Sequence, residues 1–205
     1  IIKGSLKTAK LHPKTKERRP ARVELEQIID GCKRADNNAR RELYERYANL
    51  IFGLLCRYTN NRSSAEDLLH DTFITIFTHI EDYRNEGAFD GWCRRIAIRT
   101  AIDHLRRERR LDLLEIDGLQ SSDAITATEP NVLDGISNEE LMRTINELSP
   151  AFRTIINLRV CEGYDYHQIA QIIGINESTA RSQYRRAKTA LIRKLEEINF
   201  QTKRE

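Results

Sequence analysis

The sequence predicts an all-α protein: two small helical domains joined by an extended acidic linker, the C-terminal one containing a helix-turn-helix. Three observations predict it. Apolar residues recur at three- and four-residue steps through two long stretches, the period of helices with one buried face. Charged residues make up 32% of the chain, against 9 glycines and 4 prolines in 205 residues, a balance that favours helices. Residues 166–195, YHQIAQIIGINESTARSQYRRAKTALIRKL, divide into two helical patterns about Gly174.

Residues 1–22 have no helical period. Lys3, Lys7, Lys10, Lys14, Lys16, Arg18, Arg19 and Arg22 make a basic arm broken by Pro13 and Pro20. It reads as a solvated tail or as an arm that touches phosphates or a partner protein. Residues 23–110 form the first helical module. Leu25, Ile28 and Ile29 begin one amphipathic helix. Asp36 or Asn37 starts the next, whose apolar face runs from Leu43 and Tyr47 to Ile51, Leu54 and Leu55. A third helix is expected from Ser64 to Ile80, capped by Ser63 or Ser64. Leu69, Phe73, Ile76 and Phe77 face inward there, which leaves Asp67, His70, Asp71 and Ile74 outward. Acids in a first helical turn are favoured by the helix dipole. Asp71 beside an exposed Ile74 is not accounted for that way, and points to a protein-docking surface.

The fourth helix follows the loop YRNEGAF. Cys93, Ala97, Ala101 and Leu105 lie four apart, which puts Arg95, Arg99 and Arg106 on the opposite face. Tyr83, Phe89 and Trp92 gather at its start. Cations for phosphates and aromatic planes for bases are what a single-stranded nucleic acid requires; the alternative is that Phe89 and Trp92 are core residues and the arginines a solvated face. Residues 111–138 then change character. Six acidic residues occur there with helix breakers such as Pro130, as in an extended linker.

Residues 139–199 form the second module, opened by a cap at Ser137 or Asn138, with residues 200–205 as a tail. Ser149-Pro150 suits a helix start, and Gly163 ends that helix. In the helix-turn-helix, Ile169, Ala170 and Ile173 face Ala180, Tyr184, Ala187 and Leu191 across the turn. Arg181, Ser182, Arg185 and Lys188 form the opposite face, with Arg186 at its edge. A second helix of this kind fits the DNA major groove.

The net charge is only +3, so it is the clusters of arginine and lysine, not the sum, that point to nucleic acid. Cys32, Cys56, Cys93 and Cys161 form no CxxC pair and the five histidines are scattered. No metal, no cofactor and no catalytic centre is expected, and the protein is not read as an enzyme. No apolar run is long enough to span a bilayer and no signal-peptide core is present, so a cytoplasmic protein without membrane insertion is expected.

Taken together, three segments carry a family resemblance: AEDLLHDTFITIF (65–77), FDGWCRRIAIRTAIDHLRR (89–107) and LSPAFRTIINLRVCEGYDYHQIAQIIG (148–174) with the helix after it. In order and spacing the chain closely resembles bacterial RNA polymerase sigma factors of the extracytoplasmic function group of the sigma-70 family. The resemblance covers about residues 25–198. It implies a transcription initiation factor that binds core RNA polymerase, directs it to promoters and helps melt the −10 element. It further implies that Asp67, His70, Asp71 and Ile74 dock on the clamp helices of the largest polymerase subunit. Tyr83, Phe89, Trp92, Arg95, Arg99 and Arg106 would hold the single-stranded −10 element, and Arg181, Ser182, Arg185, Arg186 and Lys188 the −35 duplex. The linker would thread toward the active-site cleft and the RNA exit path. An anti-sigma factor is an implied partner. His70, Arg99, Gln183 and Tyr184 depart from the common pattern, the first two standing where Gln and Asn are usual. A −35 readout altered in this way would let another recruiting factor contribute to promoter choice.

Two other readings of the residues stand beside this one. A helix-turn-helix repressor would bind duplex operators as a dimer, but the chain has no evident dimerisation heptad. A metal-dependent nucleotide hydrolase would use Glu42, Glu45, Asp67 and Asp71 as ligands, although the later pair belongs to the docking-type helix.

Overall fold

A computed structural model describes residues 21–59, 61–84, 88–108 and 137–202. The basic arm up to residue 20 and the linker up to residue 136 lie outside the described residues. The first module contains α1 (Ala21–Lys33), α2 (Asn37–Cys56), α3 (Arg62–Thr78), a 3-10 turn (Ile80–Asp82) and α4 (Phe89–Arg107). The second contains α5 (Asn138–Asn146), α6 (Pro150–Ile156), α7 (Tyr166–Ile173) and α8 (Glu177–Thr202), with a π-helical turn at Asn157–Cys161 extending α6. There is no strand among the described residues.

In the first module α2 is the central element and packs against α1, α3 and α4. Leu43, Ile51, Leu54 and Leu55 of α2 are fully buried. They meet Leu68, Phe73 and Ile76 of α3 and Cys93, Ala97, Ile98 and Ala101 of α4 in one core. Burial raises the Cys32 thiol to about 11 and raises Cys93 as well, so both are protonated, inert packing groups at neutral pH. At the α1–α2 corner, a Cβ on Gly31 would lie 2.5 Å from that of Ala39. Only glycine lets the two helices approach so closely.

Polar caps decide where the helices begin. Asp36 accepts from the backbone of Asn38 and Ala39, and so starts α2. The third helix starts earlier than the sequence pattern suggests: Asn61, not a serine, accepts from Ser63 N–H at 2.9 Å. Asparagine at this position satisfies an otherwise orphaned amide as well as serine does. Ser137 closes a capping box with Glu140 on α5, and Ser149 caps α6 with Pro150 next to it. The first and last helices also depart from expectation. Helix α1 begins at Ala21, inside the basic arm, and α8 continues to Thr202, into the expected tail.

In the second module α5, α6 and α7 all pack on α8. Ile155, Leu158, Ile169, Ala180 and Ala187 are fully buried at their meeting point.

Candidate nucleic-acid and polymerase interface

Helix α3 is buried along Ala65, Leu68, Leu69, Thr72, Phe73 and Ile76. Steps of three and four from the remaining positions set Asp67, His70, Asp71 and Ile74 on one outer face, and all four are exposed. Ile74 is 64% exposed. A large aliphatic side chain held in water beside His70 and Asp71 gains by burial against a partner.

At the start of α4 the aromatic residues are arranged differently from the expectation. Tyr83 and Phe89 are buried, 6% and 3% exposed. Their rings meet edge to face at 4.9 Å, and Tyr47 meets Phe89 at 5.4 Å. Neither presents a ring to a ligand. Both lie against Trp92, each at 5.5 Å, and Trp92 is only half-buried. The two rings therefore act as a backing for the indole. Tyr47 also donates to Asp90 at 2.7 Å. Burial and that bond push the Tyr47 phenol up, so it remains a donor. The loop residues 85–87 lie outside the described residues.

Further along α4, Arg95 and Arg99 are exposed, and Arg99 Nε lies 4.0 Å from Asp103. Arg106 was expected on the same nucleic-acid face, but the second module engages it. It donates to Asp103 at 3.0 Å and, through Nη2, to the carbonyl of Ile172 at 3.1 Å.

The helix-turn-helix is closed by two local devices. Asp165 and Gln168 form a capping box at the start of α7. Gly174 then turns left-handed at φ 78° and donates to the carbonyl of Ala170 at 2.8 Å, a conformation that favours glycine. Asn176 caps α8 by accepting from Thr179 N–H at 2.7 Å. Along α8, Ala180, Gln183, Ala187 and Leu195 face inward. Arg181, Ser182, Arg185 and Lys188 are exposed on the other side, and Arg186 is half-buried at the edge. Arg181 donates to Glu177 at 2.9 Å and lies 5.0 Å over the ring of Tyr166. Gln183 is 2% exposed, and Tyr184 packs on Tyr166 at 5.8 Å. These two unusual residues thus belong to the interior side of α8. They do not alter the face that meets solvent.

Two family models match the chain in sequence order. Sigma-70 region 2 matches residues 43–111, and Sigma-70, region 4 matches residues 138–191. An ECF RNA polymerase sigma-E factor from Haemophilus influenzae is 32% identical over 181 residues, covering 83% of this chain and 95% of the relative. The chain belongs to the sigma-70 family, as a member of its ECF group. It is an alternative sigma factor, and the repressor reading is not favoured. The sigma-H factor of Pseudomonas aeruginosa is 29% identical over 182 residues, covering 84% of this chain and 94% of that one. The similarity to SigE of Mycolicibacterium smegmatis, 30% over 154 residues, covers 73% of this chain but spans only 59% of that relative's length. Among solved structures, the sigma factor RpoE, crystallised with the anti-sigma factor NepR from Bartonella quintana, is similar at 20% identity. Its TM-score is 0.49, with 77% of this chain and 96% of that one covered.

In this sigma factor, helices α3 and α4 both fall within the region 2 match, and α7 and α8 within the region 4 match, the latter as far as residue 191. Among the described residues no three His, Cys, Asp or Glu side chains are grouped to hold a metal, so Glu42, Glu45, Asp67 and Asp71 do not converge. No helix of the described residues is long and apolar enough to cross a membrane. The sequence pattern missed one set of polar residues altogether. Arg57 and Arg94 of the first module both pair with Glu162 of the second, and Asn157 donates to the carbonyl of Arg57 at 2.7 Å.

Proposed function

We propose that this sigma factor divides its work among three surfaces. The α3 face of Asp67, His70, Asp71 and Ile74 docks on the clamp helices of the largest subunit of core RNA polymerase. The start of α4 holds the unpaired −10 strand, and α8 reads the −35 duplex. The observation that carries the docking assignment is the contiguous exposed α3 face that runs from Asp67 to the exposed Ile74.

At the −10 element, Trp92 offers the stacking surface and Arg95 and Arg99 offer the cations. Base–aromatic stacking contributes about 1–3 kcal/mol per base, against a cost of about a few kcal/mol for taking a base out of the stack. One stacked base alone barely offsets that cost, so the arginines must add phosphate contacts. Tyr83 and Phe89 take part by holding Trp92 in position. Arg106 reaches DNA only after leaving Ile172. At the −35 element, Arg185, Lys188 and Ser182 face the groove, Arg181 is pre-ordered by Glu177 and Tyr166, and Arg186 serves the phosphate edge.

The domain division follows the same reading with its edges moved to the helices: a polymerase and −10 module that begins with α1 at Ala21, and a −35 module that begins at the Ser137 cap and runs through α8 to Thr202, with the linker between them. An anti-sigma factor that covers these surfaces completes the proposed partners; with Gln183 buried, the altered −35 readout that would call for a recruiting factor loses its ground. Charge reversal in Asp71→Lys tests the docking role. It abolishes co-elution with core polymerase while the circular dichroism spectrum and melting temperature stay at wild-type values. Undiminished co-elution would refute the assignment of α3.

A further inference from the structure

The π-helical turn that follows α6 carries one carboxylate, Glu162, to two cations of the first module. Its amide register gains a residue, and Glu162 N–H donates to the carbonyl of Asn157. Such turns are uncommon and frequently mark functional positions. Here the turn aims two side chains out of their own module. Asn157 is fully buried and donates to the Arg57 carbonyl, at the end of α2, at 2.7 Å. The Glu162 side chain is 5% exposed and lies between the guanidinium groups of Arg57 and Arg94. A carboxylate removed from water in this way requires paired cations, and both come from the other module.

A second contact lies beside the helix-turn-helix turn. Arg106 Nη2 donates to Ile172 O at 3.1 Å, at the C-terminal end of α7, where a cation complements the helix dipole. A Cβ at Gly174 would lie 3.2 Å from that same guanidinium. Two cations of α4, Arg94 and Arg106, are therefore turned toward the second module.

We propose that Glu162, supported by Asn157, is an interdomain clasp that holds the free sigma factor closed and restrains its binding to promoter DNA. The masking rests on the promoter reading given above. The −10 and −35 elements are about 25 base pairs apart, which is roughly 85 Å at 3.4 Å per pair. A compact chain of 205 residues has a radius of gyration of only about 17 Å. With Arg106 touching the turn between α7 and α8, the closed form cannot reach both elements. Promoter engagement therefore requires the clasp to open and its arginines to change partners.

The test is small-angle scattering on the full chain, free of polymerase, paired with affinity for a −10/−35 promoter fragment. Glu162→Gln removes the charge with little change in shape. Arg57→Gln removes a partly exposed partner and provides a second opening variant that leaves the buried carboxylate and its turn intact. In each, circular dichroism reports the fold. Both variants are expected to expand by several ångström in radius of gyration. A wild-type chain that is nine-tenths closed gains about tenfold in apparent affinity when opened. A wild-type chain that is already extended, or folded variants as compact as wild type, would overturn the clasp. Expansion without any gain in DNA affinity would overturn the masking role. Absence of promoter-dependent transcription by wild type with core polymerase, despite expansion of both variants, would sink the promoter reading and leave the closed state standing.

Discussion

Arg185 is the side chain through which base reading by α8 is most directly tested. It is exposed, and it lies one helical turn beyond Arg181, which is tied to Glu177 and Tyr166. A bidentate arginine–guanine contact contributes about 1–3 kcal/mol of discrimination. Arg185→Ala should therefore lower transcription from −35-dependent promoters by roughly tenfold or more while leaving core binding unchanged; equal use of every promoter would remove the residue from base reading. Several residue positions were legible in the sequence because helical periodicity sorts faces. Asp67, His70, Asp71 and Ile74 share a face once the inward stripe is known, and the same holds for Ser182, Arg185 and Lys188. Tyr83 and Phe89 were not legible as backing residues. An aromatic side chain fits a core and a base-stacking platform equally well, and only packing against Tyr47 and Trp92 distinguishes them. Glu162 had no visible signal, since its partners stand 105 and 68 positions earlier in the chain.

At the scale of the element, the helix-turn-helix depends on caps as much as on its apolar stripe. Helix α7 has only 8 residues, too few to be stable alone, so its capping box contributes a large share of its local order. Asp165→Ala removes one half of that box and should cost about 1 kcal/mol. For a module of this size that corresponds to a fall of about 4–8 °C in melting temperature, measured by circular dichroism. An unchanged melt would show that packing against α8 alone holds the turn. The turn itself was legible from Gly174 and the small residues Ala170 and Ala180 around it. The start of α3 was less so, because Asn61, Ser63 and Ser64 can all accept a backbone amide and the first of them is the one used. The π-helical turn was invisible for a related reason: one extra residue in a hydrogen-bonded ring leaves no mark on an apolar period.

For the whole molecule, composition and order of motifs indicated two helical modules, but not that they touch. Contacts such as Asn157 to Arg57 and Arg106 to Ile172 depend on how the modules dock, and docking leaves no periodic trace. The central claim is that this chain confers promoter choice on a polymerase. The most direct measurement is transcription by bacterial core RNA polymerase on a randomised promoter library, with and without the protein. Protein-dependent transcripts that share bases at two upstream elements are the predicted result. An unchanged transcript pool, together with no binding of the protein to core polymerase, would contradict it.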